Sequence, residues 1–88
     1  LYVACYRGYA EMAKLLIQNG ANIELLGDMN LLINACKKGD LEIVKILVEN
    51  NVNVNYQNSR GFTAIFHTCL IGNIEIAKIL IKKGLYYK

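Results

Sequence analysis

The stretch GYAEMAKLLIQNGANIE at residues 8–24 returns as GDLEIVKILVENNVNVN at 39–55 and again as GNIEIAKILIKKGLYYK at 72–88. The leading glycines Gly8, Gly39 and Gly72 stand 31 and 33 residues apart, inside the range of periods that marks solenoid repeats. One structural unit is therefore written three times. A unit of that length cannot bury its own apolar face and has to stack on its neighbours. The expectation is an array that works through a surface rather than an enclosed pocket.

The third unit shows how each copy should fold. Thr63 precedes AIFHTCLI and is placed to cap a helix through its hydroxyl. Gly72 should end that helix in the left-handed conformation. Asn73 then caps IEIAKILIKK, in which Ile76, Ala77, Ile79 and Leu80 form an apolar stripe at helical spacing, and Gly84 stops it. The second unit repeats the plan with Asn30 and Asp40 as caps and Gly39 and Asn51 as stops. Only LYVACYR stands for the leading helix of the first unit, so the register has the chain begin inside a helix. Extended loops such as NVNVNYQNSRGF join the units.

In this order the residues resemble the ankyrin repeat, whose pattern runs G-x-T-P-L-H-x-A-A-x-x-G, then [IV]-V-x-L-L-L and G-A-D-[IV]-N. Unit three matches through Gly61, Thr63, Ile65, Cys69, Gly72, Ile76, Ile79–Ile81 and Gly84. Unit two matches through Leu32, Ala35, Cys36, Gly39, Ile43, Val44, Ile46, Leu47, Val48 and Asn51–Asn55. Unit one matches through Leu15, Leu16, Ile17 and Gly20–Glu24. The resemblance implies an all-α ankyrin-repeat solenoid of stacked antiparallel helix pairs with projecting hairpin-like loops. It implies a single array over 1–88, divided into a partial repeat 1–24 and repeats 25–57 and 58–88. The pattern's proline is Leu31 and Ala64 here, and its histidine, which hydrogen-bonds near the loop base, is replaced by Tyr2, Ile33 and Phe66. The first inter-unit loop is two residues shorter than the second, so its finger should be stubbier.

An 88-residue chain holds one small domain. Its hydrophobic share of 55% and mean hydropathy of +0.26 are high for that size. Every apolar run is broken by Lys, Asn, Glu or Gly short of the ~18 residues that a spanning helix needs. A piece of a longer array, with open stacking faces at its ends, accounts for the composition better than a membrane span. Cys5, Cys36 and Cys69 hold one register position beside Ala4, Ala35 and Thr68. Packed helices lie about 8–10 Å apart and a disulfide needs Cα atoms within about 7 Å, so a buried column of inert thiols is expected. No Cys or His pair has zinc spacing. Free thiols fit an intracellular, reducing compartment, with the cytoplasm as the expectation.

The chain offers little for catalysis. His67 is the single histidine, Ser59 the single serine, and Glu75 the one acidic residue of unit three, on the other helix. Nucleophile and base need hydrogen-bond reach, and each glycine serves as a helix stop or loop turn rather than in a phosphate loop. The expectation is a non-enzyme without cofactor or metal. Lys14, Lys45 and Lys78 form a basic column, but Glu11, Glu42 and Glu75 stand three residues before them, giving self-cancelling pairs. Arg7, Lys37 and Lys38 suit the last turn of the inner helices electrostatically and suit a binding role equally well.

The surface that the resemblance implies for binding comprises loop tips and concave inner-helix faces. In this sequence it comprises Tyr6, Arg7, Met29, Lys37, Lys38, Tyr56, Gln57, Ser59, Arg60, Phe62, His67, Leu70 and Ile71. Aromatic and Arg anchors are enriched in interface centres, and Phe62, Leu70 and Ile71 have no buried alternative in this register. The partner expected is another protein, presenting an apolar segment with acidic residues. Nucleic acid or an anionic surface held by Arg7, Lys37, Lys38 and Arg60 is the alternative, and a structural spacer a third. The chain itself is expected to be a monomer or to associate end to end through its open repeat faces.

Overall fold

The computed structural model describes residues 1–84; residues 85–88, the tail of the third copy, lie outside the described residues. Among the described residues six α-helices follow one another: α1 Tyr2–Tyr6, α2 Ala10–Gln18, α3 Leu31–Lys38, α4 Leu41–Glu49, α5 Ala64–Ile71 and α6 Ile74–Lys82, with a 3-10 turn at Gly27–Met29 before α3. No strand forms among the described residues. The odd-numbered helices make an inner row, α1 against α3 against α5, and the even-numbered ones an outer row, α2 against α4 against α6. Within each unit the two helices pack together, and the three pairs measure 35 × 26 × 21 Å.

Burial in this stack follows position in the array, not hydrophobicity. The middle outer helix α4 buries Ile43, Val44, Ile46, Leu47 and Val48. The flanking outer helices bury only Ala13 on α2, and Ile76 and Leu80 on α6. The inner helix α3 likewise buries Leu31, Leu32, Ile33, Ala35 and Cys36. Full burial of each such aliphatic side chain contributes about 1.5–3 kcal/mol, so most of the apolar stabilisation is concentrated in unit two. Ala77 and Ile79, expected within the buried stripe of α6, are only half-buried.

Helix ends follow the sequence closely. The carboxamide oxygens of Asn30 and Asn73 accept from the Ile33 and Ile76 N–H groups, each at 3.0 Å, and Asp40 accepts from Ile43 N–H at 3.2 Å. Thr63 departs from expectation. Its hydroxyl makes no cap bond, and Phe66 N–H donates to the Thr63 carbonyl at 3.1 Å instead. Gly39 and Gly72 end α3 and α5 with φ of 70° and 67°. Among the described residues Asn51 is the one non-glycine residue at positive φ, 63°, one place beyond the α4 C-cap Asn50. Asparagine tolerates that conformation better than other side chains, and Asn51 Oδ1 also accepts from Lys83 Nζ at 2.8 Å in the next unit.

The cysteine column divides. Cys5 and Cys36 are buried, but Cys69 is exposed, since the expected seal over it would have to come from a unit beyond α5 and α6. Burial pushes the Cys36 thiol up to about 11, partly offset by a hydrogen bond from Thr68, and raises Cys5 as well. The Glu–Lys column is also incomplete. Lys14 reaches Glu11 at 3.3 Å and Lys78 reaches Glu75 at 3.9 Å, while Glu42 and Lys45 form no ion pair among the described residues.

Two measurements check this account. Asn51→Gly should leave stability unchanged or raise it by up to about 1 kcal/mol, while Asn51→Ala lowers it by about 1 kcal/mol; urea denaturation of the three chains would show the order. A thiol reagent followed by mass spectrometry should label Cys69 rapidly in native buffer, with Cys5 and Cys36 reacting only on unfolding.

Candidate interaction surface

Side-chain amides hold the loops to the inner row. Asn30 is 1% exposed and, besides capping α3, donates through Nδ2 to the Leu25 carbonyl at 2.9 Å. Asn34 Nδ2 donates to the Asp28 carbonyl at 2.9 Å and the Asn30 carbonyl at 3.0 Å. From the second loop, the Tyr56 hydroxyl accepts from Gly27 N–H at 2.7 Å. These contacts fasten the short first loop, whose tip is the 3-10 turn Gly27–Met29. The longer second loop closes on itself. Asn58 Oδ1 accepts from Arg60 and Phe62 N–H groups, each at 3.0 Å, Asn58 N–H donates to the Phe62 carbonyl at 3.0 Å, and Gln57 Nε2 donates to the Gly61 carbonyl at 3.0 Å.

Between the two loops and the inner helices lies a cleft of about 220 Å³, lined by Gly27, Asp28, Ile33, Asn34, Lys37, Asn58, Arg60, Phe62 and His67. Four residues of the sequence-derived surface meet here: Lys37 from α3, His67 from α5, and Arg60 and Phe62 from the loop. Phe62 is half-buried rather than exposed, because its ring stacks on Phe66 at 4.2 Å between centroids and 3° between planes. The His67 ring stands edge-on to both, at 5.9 Å from Phe62 and 5.1 Å from Phe66. Partial burial, and then the Lys37 ammonium, lower the His67 pKa from its ordinary 6.5. The cleft thus sets two fixed cations, one carboxylate and a neutral imidazole beside an aromatic wall.

The remaining candidates lie elsewhere. Lys38 Nζ lies 3.5 Å above the centre of the Tyr6 ring and donates to the Tyr6 carbonyl, so this pair joins units one and two. Ile71 is exposed but has its Cδ1 3.2 Å from where a Cβ on Gly39 would sit, so it leans over the preceding turn. Tyr56 is half-buried against the core and its hydroxyl is engaged with Gly27. Arg7, Met29, Gln57, Ser59 and Leu70 are exposed and line no part of the cleft. Sequence reasoning passed over Asp28, Asn34, Asn58 and Phe66. The Phe62–Phe66 spacing of four residues was a readable signal; the cleft positions of Asp28 and Asn58 depend on how the loops fold back, which no local pattern encodes.

A family model of ankyrin repeats, in three copies, matches residues 1–88. The chain belongs to the ankyrin-repeat family. Among solved structures it is similar to the human ASB11 ankyrin repeat domain, a crystal structure, with a TM-score of 0.86 and 29% sequence identity. That match covers 97% of this chain but 39% of the other, so this array spans well under half the length of that domain. No curated protein sequence matches. Ankyrin repeats are generally protein-interaction modules and generally non-catalytic. No group of His, Cys, Asp and Glu among the described residues could hold a metal ion, and no described helix is long and apolar enough to cross a membrane.

The environment of His67 is measurable by itself. Its folded-state pKa lies below the unfolded one, so the unfolded chain takes the proton first, and the array loses stability as pH falls through 6.5. An NMR titration of this single imidazole should show a midpoint below 6.5. Lys37→Gln should raise the midpoint only part of the way back, because burial is the larger cause.

Proposed function

We propose that this ankyrin array binds a protein partner through its inner row and loop tips, and that the partner offers an acidic side chain next to an apolar one. The observation that carries this is the cleft itself. Lys37 and Arg60 approach it from different elements, Phe62 supplies an apolar wall, and the polar lining is held open by loops fastened to the helices. A carboxylate entering there would meet two cations, while its apolar neighbour lies along the Phe62 ring. Residues of this kind are the ones that dominate interface energetics. Asp28 in the same lining favours a single inserted carboxylate over a run of phosphates. With the Lys38 ammonium held over Tyr6, fewer free cations remain for nucleic acid than the sequence suggested.

The outer row offers a poor competitor. Lys14 and Lys78 are paired with glutamates and the surface is solvated, so such charges contribute little to binding.

A peptide-display selection on the 88-residue chain tests this reading. Selected peptides should be enriched in an Asp or Glu adjacent to a large apolar residue. By calorimetry, Lys37→Glu and Phe62→Ala should each weaken them by about 1–2 kcal/mol, with helix content by circular dichroism checked for both. Lys45→Glu should change affinity by less than about 0.5 kcal/mol. Dominance of the outer-row lysines, or displacement of the peptides by polyanions with steep salt dependence, would transfer the function to an anionic ligand.

A further inference from the structure

Three charged side chains bridge neighbouring units at their surface. Lys38 donates to the Tyr6 carbonyl, Lys83 to Asn51 Oδ1 at 2.8 Å, and Glu24 accepts from Asn53 N–H at 2.7 Å. The charges of the cleft behave differently. Asp28, Lys37 and Arg60 line the same space of about 220 Å³. Among the described residues, none of these three side chains makes a hydrogen bond or an ion pair.

Backbone anchoring explains how opposite charges share a cleft without closing on one another. Asp28 belongs to the 3-10 turn Gly27–Met29, Lys37 to α3, and Arg60 to the loop between α4 and α5. The turn is fastened by its main chain: Asn34 Nδ2 donates to the Asp28 carbonyl at 2.9 Å, and Gly27 N–H to the Tyr56 hydroxyl at 2.7 Å. Arg60 N–H is tied to Asn58 Oδ1 at 3.0 Å. The charged heads stay free, and the Asp28 carboxylate makes no bond that holds the turn. Every lining residue lies between Gly27 and His67, in the middle of the array, so the ends of the chain do not enter into this exposure.

We propose that the cleft reads charges of both signs on one short segment of its partner, Lys37 and Arg60 taking a carboxylate and Asp28 taking a lysine or arginine near it. This rests on the partner-binding reading of the same cleft and adds a second requirement to it. A segment of both signs is the occupant because it leaves no charge of the lining facing its own sign. A purely acidic segment would set a carboxylate against Asp28, and a purely basic one would set its cations against Lys37 and Arg60. Like charges set against each other reject wrong partners. The partner's two charged residues are close along its chain, since one cleft of this size has to meet both. Asp28 is exposed, so its pairing contributes modest affinity. Its main effect is on specificity.

Parallel peptide-display selections on the 88-residue chain and on its Asp28→Lys variant test this. Peptides selected on the wild type should pair their acidic residue with a Lys or Arg a few positions away. Those selected on Asp28→Lys should lose that basic residue. A synthetic wild-type-selected peptide then serves as the calorimetric probe. Replacing its basic residue by Gln should weaken binding about two- to fivefold, and Asp28→Asn should weaken it by a similar factor. Both changes together should weaken it no further than either alone, and raised salt should shrink the effect. Asp28→Asn keeps the carbonyl that Asn34 holds, so its circular dichroism should match the wild type. Selected peptides with an acidic residue but no enriched basic one would overturn this proposal and leave the partner-binding reading standing, as would two losses that simply add. Peptides without an acidic residue, or no selectable peptide at all, would overturn both.

Discussion

The stack depends on one constraint: a helix pair of this size has two apolar faces and can cover neither by itself. Leu47 and Leu80, both fully buried on the outer row, and Leu31 and Leu32 on the inner row reach that state only because neighbouring units are present. Nearest-neighbour coupling of this kind makes stability a sum of weak units and stronger junctions. The middle unit takes part in both internal junctions and so holds the deepest burial. Among the described residues units one and three each take part in one, and bury fewer apolar side chains.

Polar contacts add register to that apolar adhesion. They recur with a period close to the repeat: Lys38 to the Tyr6 carbonyl, Lys83 to Asn51, Asn53 N–H to Glu24 at 2.7 Å. Each spans one junction at the surface, where an individual hydrogen bond contributes little net stability. Their effect is geometric. A junction held only by aliphatic side chains could slide by a fraction of a helical turn; one with fixed donors and acceptors at its rim cannot do so without leaving them unmatched. That fixed registration lets loops from two different units define a single cleft.

Much of this was legible in the chain because it is written three times. The caps Asn30, Asp40 and Asn73, the stops Gly39 and Gly72, and the unusual Asn51 follow from local chemistry, and local chemistry is what a sequence encodes most directly. Apart from the Glu42–Lys45 pair on α4, which does not form, what was misjudged lies at the ends of the array or in the loops. Cys69 occupies a register position that is buried in the other two units, yet it is exposed among the described residues. Phe62 was expected to be exposed because its cover, Phe66, was considered only as a replacement for the pattern's histidine. Thr63 has the right residue type for a cap, yet the turn closes through its carbonyl. The cleft was foreseen only in part: Lys37, Arg60, Phe62 and His67 belong to it, whereas Asp28 and Asn58 enter it by loop folding over distances no repeat pattern records.

The way the first loop is fastened has a consequence for how the surface responds to acid. In the pattern this chain resembles, a histidine stands near the loop base, and here that position carries Tyr2, Ile33 and Phe66. The work passes to the carboxamides of Asn30 and Asn34, which neither gain nor lose a proton in the physiological range. The side-chain amides that fasten the first loop therefore carry no group that titrates there, while the imidazole of His67 in the cleft changes charge. Acidification reaches the cleft through His67, adding a positive charge where a carboxylate would enter, and not through the contacts that hold the first loop in place.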